Sequence, residues 1–288
     1  MNNTIKFGPA GQSESFAAEG LKHTWQYIEW LAARGINAFE YQCNKGVKIG
    51  QPSAEEIGKK AKEFDIALSV HAPYYISLAS LEEEKRENSI RYITDTMRAA
   101  DWMGATRVIV HCGGAANQDR RTAVEVAKSV LVKAVKTADD LGLGHIAICP
   151  ELMGKENQLG SLDEVIEMCL LDDRMLPCID FGHLNAREQG SMKTKQDFIN
   201  VLNRMEDGLG HDRIKHFHIH FSRIEYTGMG EKRHWNYEDV QFGPDFEPLA
   251  EALIQKDLEP TIICESSGMQ SEDATQFRKI YEDYKKGK

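Results

Sequence analysis

The sequence has six cysteines in 288 residues, yet none forms a C-x-x-C pair or a tight spacing. A disulfide scaffold is therefore not indicated, and reduced thiols suit a cytosolic setting. No apolar run approaches the roughly 18 residues that cross a bilayer. The opening MNNTIKFGPAGQSESF lacks the basic start and apolar stretch of a secretory signal, so a cytoplasmic location and no membrane partner are expected. There is no G-x-S-x-G, no Walker loop and no dinucleotide fingerprint, which leaves no indicated nucleophilic serine or nucleotide cradle. Positive charge is also scarce: 35 Lys and Arg face 45 Asp and Glu, a net charge of −10. That balance works against bulk capture of nucleic acid. A cluster of two or three divalent ions would offset it locally by about +4 to +6. With no Pro- or Ser-rich linker, low-complexity tract or charge block, residues 1–288 are expected to form one domain.

What the chain does contain is strand followed by helix, repeated. Strand candidates are Ile5–Pro9, Ala38–Cys43, Ile66–Ala72, Arg107–Cys112, His145–Pro150, Leu176–Phe181, Ile214–Phe221 and Thr261–Cys264. Amphipathic helical patterns lie between them, among them Thr24–Ala33, Ala54–Glu63, Arg120–Leu141 and Phe246–Gln255. Ser53 with Glu56, and Ser161 with Glu164, have the spacing of capping boxes. Eight such units predict a single closed parallel (β/α)8 barrel, whose chemistry sits at the C-terminal ends of its strands. The long connection from Arg223 to Pro244 is expected to be a functional loop.

The strands end in acids and imidazoles. LSVHAPYY supplies His71, VIVHCGG supplies His111, AICPELMG supplies Glu151, CIDFGHL supplies Asp180 and His183, HFHIHFS supplies His218, and IICESSG supplies Glu265. An isolated buried carboxylate is very costly, so a rim with this many calls for a shared sink, and a cluster of divalent metals provides it. Mixed imidazole and carboxylate donors suit zinc, with manganese or iron as alternatives. His216, His218 and His220 alternate and share one strand face; His218 is taken as the ligand. Cys112, Cys149, Cys178 and Cys264 near these ends are read as small apolar filler. Tyr74 and Tyr75, just past His71, suit either core packing or a stacking platform for a sugar or base.

The segments SVHAPYYISLAS, VIVHCGG, CPELMG, CIDFGHLNAR and HIHFSR…GEKRH resemble, in order, the metal-binding segments of endonuclease IV, the class II apurinic/apyrimidinic endonucleases. The resemblance implies a TIM barrel of the xylose-isomerase-like superfamily with two or three zinc ions. It implies a first metal on His71, His111 and Glu151, and a second on Glu151, Asp180, His218 and Glu265. A third would take His183 and His234. The implied partner is DNA containing abasic sites. The implied reaction is hydrolysis of the phosphodiester 5′ to the lesion by a metal-bridging hydroxide, with Glu151 at the catalytic centre. Tyr74 and Tyr75 would help open the duplex. No protein partner is indicated.

Two departures stand out. The family pattern D-x-H for the third metal meets Lys232 here, in Glu231-Lys232-Arg233-His234. Either Glu231 supplies the missing carboxylate, which is the favoured expectation, or Lys232, Arg233 and Arg223 contact the substrate phosphate directly. The intercalating arginine after the second strand also has no match, which leaves Lys45 as a phosphate contact. The competing reading is a sugar isomerase or epimerase using one metal on Glu151, Asp180, His218 and Glu265. Such an enzyme does not require His71, His111 and His234 as ligands. A non-catalytic metal-dependent binding protein is the third class considered.

Overall fold

The computed structural model describes residues 5–287. Strands β1 (Lys6–Pro9), β2 (Ala38–Gln42), β3 (Ala67–His71), β4 (Arg107–Val110) and β5 (Ala147–Pro150) alternate with helices. So do β6 (Cys178–Asp180), β7 (His218–Phe221) and, after the hairpin β8 (Arg223–Thr227) with β9 (Gly230–Trp235), β10 (Thr261–Cys264). Two parallel four-stranded sheets run β2-β3-β4-β5 and β1-β10-β7-β6. Parallel bridges Ala10 to Glu40 and Glu151 to Cys178 join them into a closed eight-stranded barrel. The expected (β/α)8 barrel is the fold observed.

Closure depends on one small residue. A Cβ on Gly8 would fall 1.9 Å from the Ala38 carbonyl oxygen, so only glycine lets β1 press against β2 there. The strands are buried on both faces, as in the VIV of β4 and the SVH of β3, because side chains fill the interior and helices cover the outside. Helix Glu83–Met103 shows the outer layer: Ile90, Ile93, Met97 and Ala100 recur at helical spacing and are buried. Truncating fully buried Ile93 to Ala would cost about 2–5 kcal/mol. That helix stops at Gly104, which takes the left-handed conformation (φ 69°).

Helices Thr24–Ala33 and Phe246–Gln255 have the expected bounds. Helix Gln51–Glu63 starts three residues earlier than expected, with Gly50 as its N-cap and Pro52 in its first turn. Ser53 and Glu56 therefore lie inside the helix and form no capping box. The box of Ser161 and Glu164 does form, and Arg120 adds a 2.6 Å ion pair to Glu164. Part of the connection after β7 is not loop but the antiparallel β8–β9 hairpin, standing over the C-terminal rim.

Candidate metal centre

Consecutive strand ends bring the polar residues together. His71 closes β3, His111 follows β4, Glu151 follows β5, Asp180 closes β6 and Glu265 follows β10. Glu151 is the hub. Its Oε2 lies 3.1 Å from both His71 Nε2 and His111 Nε2. Its Oε1 lies 3.3 Å from His220 Nδ1 and 3.4 Å from His183 Nδ1. Asp180 Oδ1 accepts the His183 backbone N–H at 2.7 Å, capping helix Phe181–Arg187, while buried Oδ2 has no hydrogen-bond partner. Glu265 Oε1 lies 3.5 Å from His220 Nδ1. Among the described residues, donor atoms within 4.8 Å of one another form five sets. Three span the rim between them: His71, His111 and Glu151; Glu151, Asp180, His220 and Glu265; and His183, Glu231 and His234. The other two are His71, His220 and Glu265, and, deeper, Cys178, His218 and His220.

The second set corrects the choice among the alternating histidines. His220, not His218, stands beside Asp180 and Glu265. The register explains it: Asp180 pairs with His220, whereas His218 pairs with Cys178 one layer deeper in the barrel. His218 instead meets Glu40, its Nε2 3.0 Å from Oε2 in a fully buried contact. Glu40 was absent from the sequence-based site, although a lone acid inside the run AFEYQ was the available signal. His216 lies below, with Nδ1 3.2 Å from the Glu259 carbonyl.

The third set rests on a bulge. Across the hairpin Glu225 pairs with Arg233 but Tyr226 pairs with Glu231, so Lys232 is the extra residue. Residues three apart on a regular strand face opposite ways; one inserted residue restores a common face. Glu231 and His234 thus both face His183, with Glu231 Oε2 3.5 Å from His183 Nε2. Gly230 (φ 95°) lets the hairpin dock, since a Cβ there would meet the Gly154 carbonyl oxygen at 2.2 Å. The Glu231 N–H donates to that same oxygen at 3.1 Å. Ser222 Oγ, 2.8 Å from His234 Nδ1, orients the last imidazole.

The electrostatics fit a divalent cation. Among the described residues, the ion-pair partners of Glu151, Asp180, Glu265 and Glu231 are all histidines. Burial raises the Asp180 carboxyl, and the charges of Glu265 and Glu151 add to this against the pull of His183. Burial would also raise Glu151, but the charges of His111 and His220 hold it well below the carboxylate range. Burial lowers both His183 and His220, yet both are pushed well above the ordinary imidazole value, His183 by Asp180, Glu151 and Glu231, and His220 by Cys178 and then Glu265, Glu40 and Glu151. Clustered acids without lysine or arginine, plus an orphaned Asp180 oxygen, make a donor set for borderline divalent metals.

A cavity of about 570 Å³ opens over these donors. Tyr74 and Tyr75 line it and are half exposed, 51% and 52%, with rings edge to face at 6.4 Å. Lys45 is exposed in an adjoining basin of about 310 Å³ that shares Gln42 and Tyr74 with the main cavity. Arg223 does not reach the cavity. Its guanidinium is buried, donating to the Tyr237 and Phe242 carbonyls at 2.9 and 2.7 Å and pairing with Asp245 at 2.7 Å. Arg223 opens the hairpin and pins the return of the chain, so its role is structural. Lys232 and Arg233 both pair with Glu225, and Arg233 lies over the Trp235 ring. Among the described residues the one Lys or Arg lining the main cavity is Lys155, which the sequence reading missed. All six cysteines are buried and free, and burial pushes the Cys43 and Cys149 thiols up to about 12.

A closed parallel barrel with buried imidazole and carboxylate donors at its C-terminal rim defines a (β/α)8 protein whose clustered His, Glu and Asp could bind metals. The profile of the Xylose isomerase-like TIM barrel family matches residues 28–282, and the chain belongs to that family. A protein of Methanocaldococcus jannaschii described as uncharacterized is 34% identical over 287 residues, spanning 98% of this chain and all of its own. The probable endonuclease 4 of Mycoplasma genitalium is 27% identical over 230 residues, 75% of each chain. Endonuclease IV from Thermus thermophilus superposes with a TM-score of 0.67 at 17% identity, over 99% of this chain and 100% of that one. A D-tagatose 3-epimerase-like protein superposes with a TM-score of 0.71 at 19% identity, over 98% and 97%. The resemblance to endonuclease IV expected from the motifs is found, and epimerase structures share the same fold. No helix of the described residues is long and apolar enough to cross a membrane.

Proposed function

We propose that this protein is a metal-dependent endonuclease of the endonuclease IV type, hydrolysing DNA on the 5′ side of abasic sites. The observation that carries the reading is the third donor set, His183, Glu231 and His234, added to the sets around Glu151. Four carboxylates are balanced by two divalent ions; a third ion leaves the rim positive, which favours a phosphodiester over a neutral sugar. When bound, the ions, zinc first and manganese or iron as alternatives, would supply Lewis-acid activation of water and neutralise charge on phosphorus.

The chain's own groups complete the task. Glu151 binds both first sets at once and fixes their separation. His71 Nδ1 is anchored 2.7 Å from the Ala72 carbonyl and His183 Nδ1 3.0 Å from that of Leu152, which holds these rings in place. Lys155 gives the cavity a fixed cation for a substrate phosphate. Tyr74 and Tyr75 offer stacking faces at the mouth, and exposed Lys45 extends the contact along a nucleic-acid backbone. Arg233 contributes at most from the rim of the hairpin.

The second reading is a sugar epimerase. It is favoured by the four-residue set Glu151, Asp180, His220 and Glu265, which suffices for one metal, and by the likeness to the epimerase-like structure. One experiment separates them. Zinc-loaded protein is incubated with a duplex carrying one tetrahydrofuran abasic analogue, and a single 5′ incision leaving a 3′ hydroxyl is expected. An intact duplex, together with metal-dependent epimerisation of a ketose, would establish the second reading instead.

A further inference from the structure

We infer that Glu40 is the positioning residue of His220, fixing the ring so that Nδ1, not Nε2, faces the donors Glu151, Asp180 and Glu265. The inference rests on the metal-centre reading but not on the identity of the substrate. Glu40 is wholly buried in the middle of β2, where an unpaired carboxylate would be very costly. Every part of it is held. Ser69 Oγ donates to Oε2 at 2.8 Å, and His218 Nε2 lies 3.0 Å from the same oxygen. Gln42 Nε2 donates to Oε1 at 3.1 Å, and His220 Nε2 lies 3.0 Å from it; both histidine contacts with Glu40 are ion-pair contacts off the axis of an ideal hydrogen bond.

A carboxylate so placed keeps the proton of His220 on Nε2 and leaves the Nδ1 lone pair free toward the rim. A metal-ligating histidine whose far nitrogen meets a carboxylate has its tautomer and orientation set by that partner. Gln42 also lines the main cavity, so an unbroken line runs from the cleft wall through Glu40 to His220. His218 then has a reason to be where it is. It is the second clamp on Glu40, one layer below the rim.

The test titrates metal-stripped wild type, Glu40→Gln and Ser69→Ala with Co2+, following visible absorption, which reports the ligand field of each bound ion. Glu40→Gln should shift one binding step to roughly 10- to 100-fold higher Co2+ and alter its spectrum. The other steps should stay within about 2-fold of wild type. Ser69→Ala, which loosens the carboxylate without removing a buried charge, should shift the same step by a smaller factor and serves if Glu40→Gln does not fold. Unchanged titrations in both variants, with only a lower unfolding midpoint for the metal-stripped protein, would overturn the inference and leave Glu40 purely structural. A wild-type chain that binds no Co2+ would instead end the metal-centre reading and the inference with it.

Discussion

Replacing Glu231 by alanine isolates the third donor set. Glu231 is its only carboxylate, and the two imidazoles left behind, His183 and His234, carry no compensating charge. Loss of a partner that merely orients a ligand costs about 10- to 100-fold in metal affinity. Loss of a donor should cost at least the upper figure, about 3 kcal/mol. The protein without metal should lose less than this, because Glu231 makes one ion pair there, to His183, from a hairpin outside the barrel core. The assay is zinc per chain by elemental analysis after equilibrium dialysis at fixed free zinc. Three ions per chain in wild type should become two in Glu231→Ala, with the stripped variant still unfolding in one cooperative transition. Three ions retained by the variant would refute the argument from the Lys232 bulge. Two ions in wild type would return the phosphate contact to fixed cations.

Glu151→Gln should abolish incision while circular dichroism shows an intact barrel, since the packed core and not the rim supplies most stability; near-normal turnover would remove Glu151 from the hub. Arg223→Met should cost about 3 kcal/mol in denaturant unfolding, because two partly buried carbonyls lose their charged donor, yet leave KM for abasic DNA unchanged in the protein that remains folded. Lys155→Met should do the reverse, raising KM and the inhibition constant of inorganic phosphate without moving the unfolding midpoint. Burial lowers the His218 pKa to about 4 from 6.5. The unfolded chain therefore binds more protons between those values. His218 stabilises fully above about pH 6.5, and that stabilisation, about 3 kcal/mol, is lost as pH falls toward 4. The pH slope of unfolding for stripped wild type minus that of His218→Gln should show this window, and equal slopes would remove the effect.

The barrel was legible because its signal is repeated: each strand carries an apolar run, and each helix a period that survives local noise. Most of the rim was legible too, because polar residues that close one apolar strand after another are stable only where a shared partner satisfies them. The choice of His218 over His220 failed for a definite reason. Period-two alternation puts both on one face and says nothing about depth, which is fixed by the register of β6 against β7. Glu40 escaped notice because its partners come from β3 and β7, far away in the chain. Arg223 was misjudged because charge suggests a surface contact, whereas backbone carbonyls in the returning loop were its actual partners. The hairpin left a trace in the alternation of Arg223–Thr227, RIEYT, and in Gly228 just after it. The bulge left one, the single-residue offset that puts Lys232 where the D-x-H pattern has its carboxylate and Glu231 one position earlier.

The β8–β9 hairpin leaves and rejoins the barrel between β7 and the helix that precedes β10, so it is an insertion within one strand-and-helix unit. The set of Glu151, Asp180, His220 and Glu265 lies wholly on barrel strands or their immediate ends, while Glu231 and His234 arrive only with the insert. Editing that single connection would thus remove or restore the donor set of His183, Glu231 and His234 while the strands that carry the other donors keep their packing.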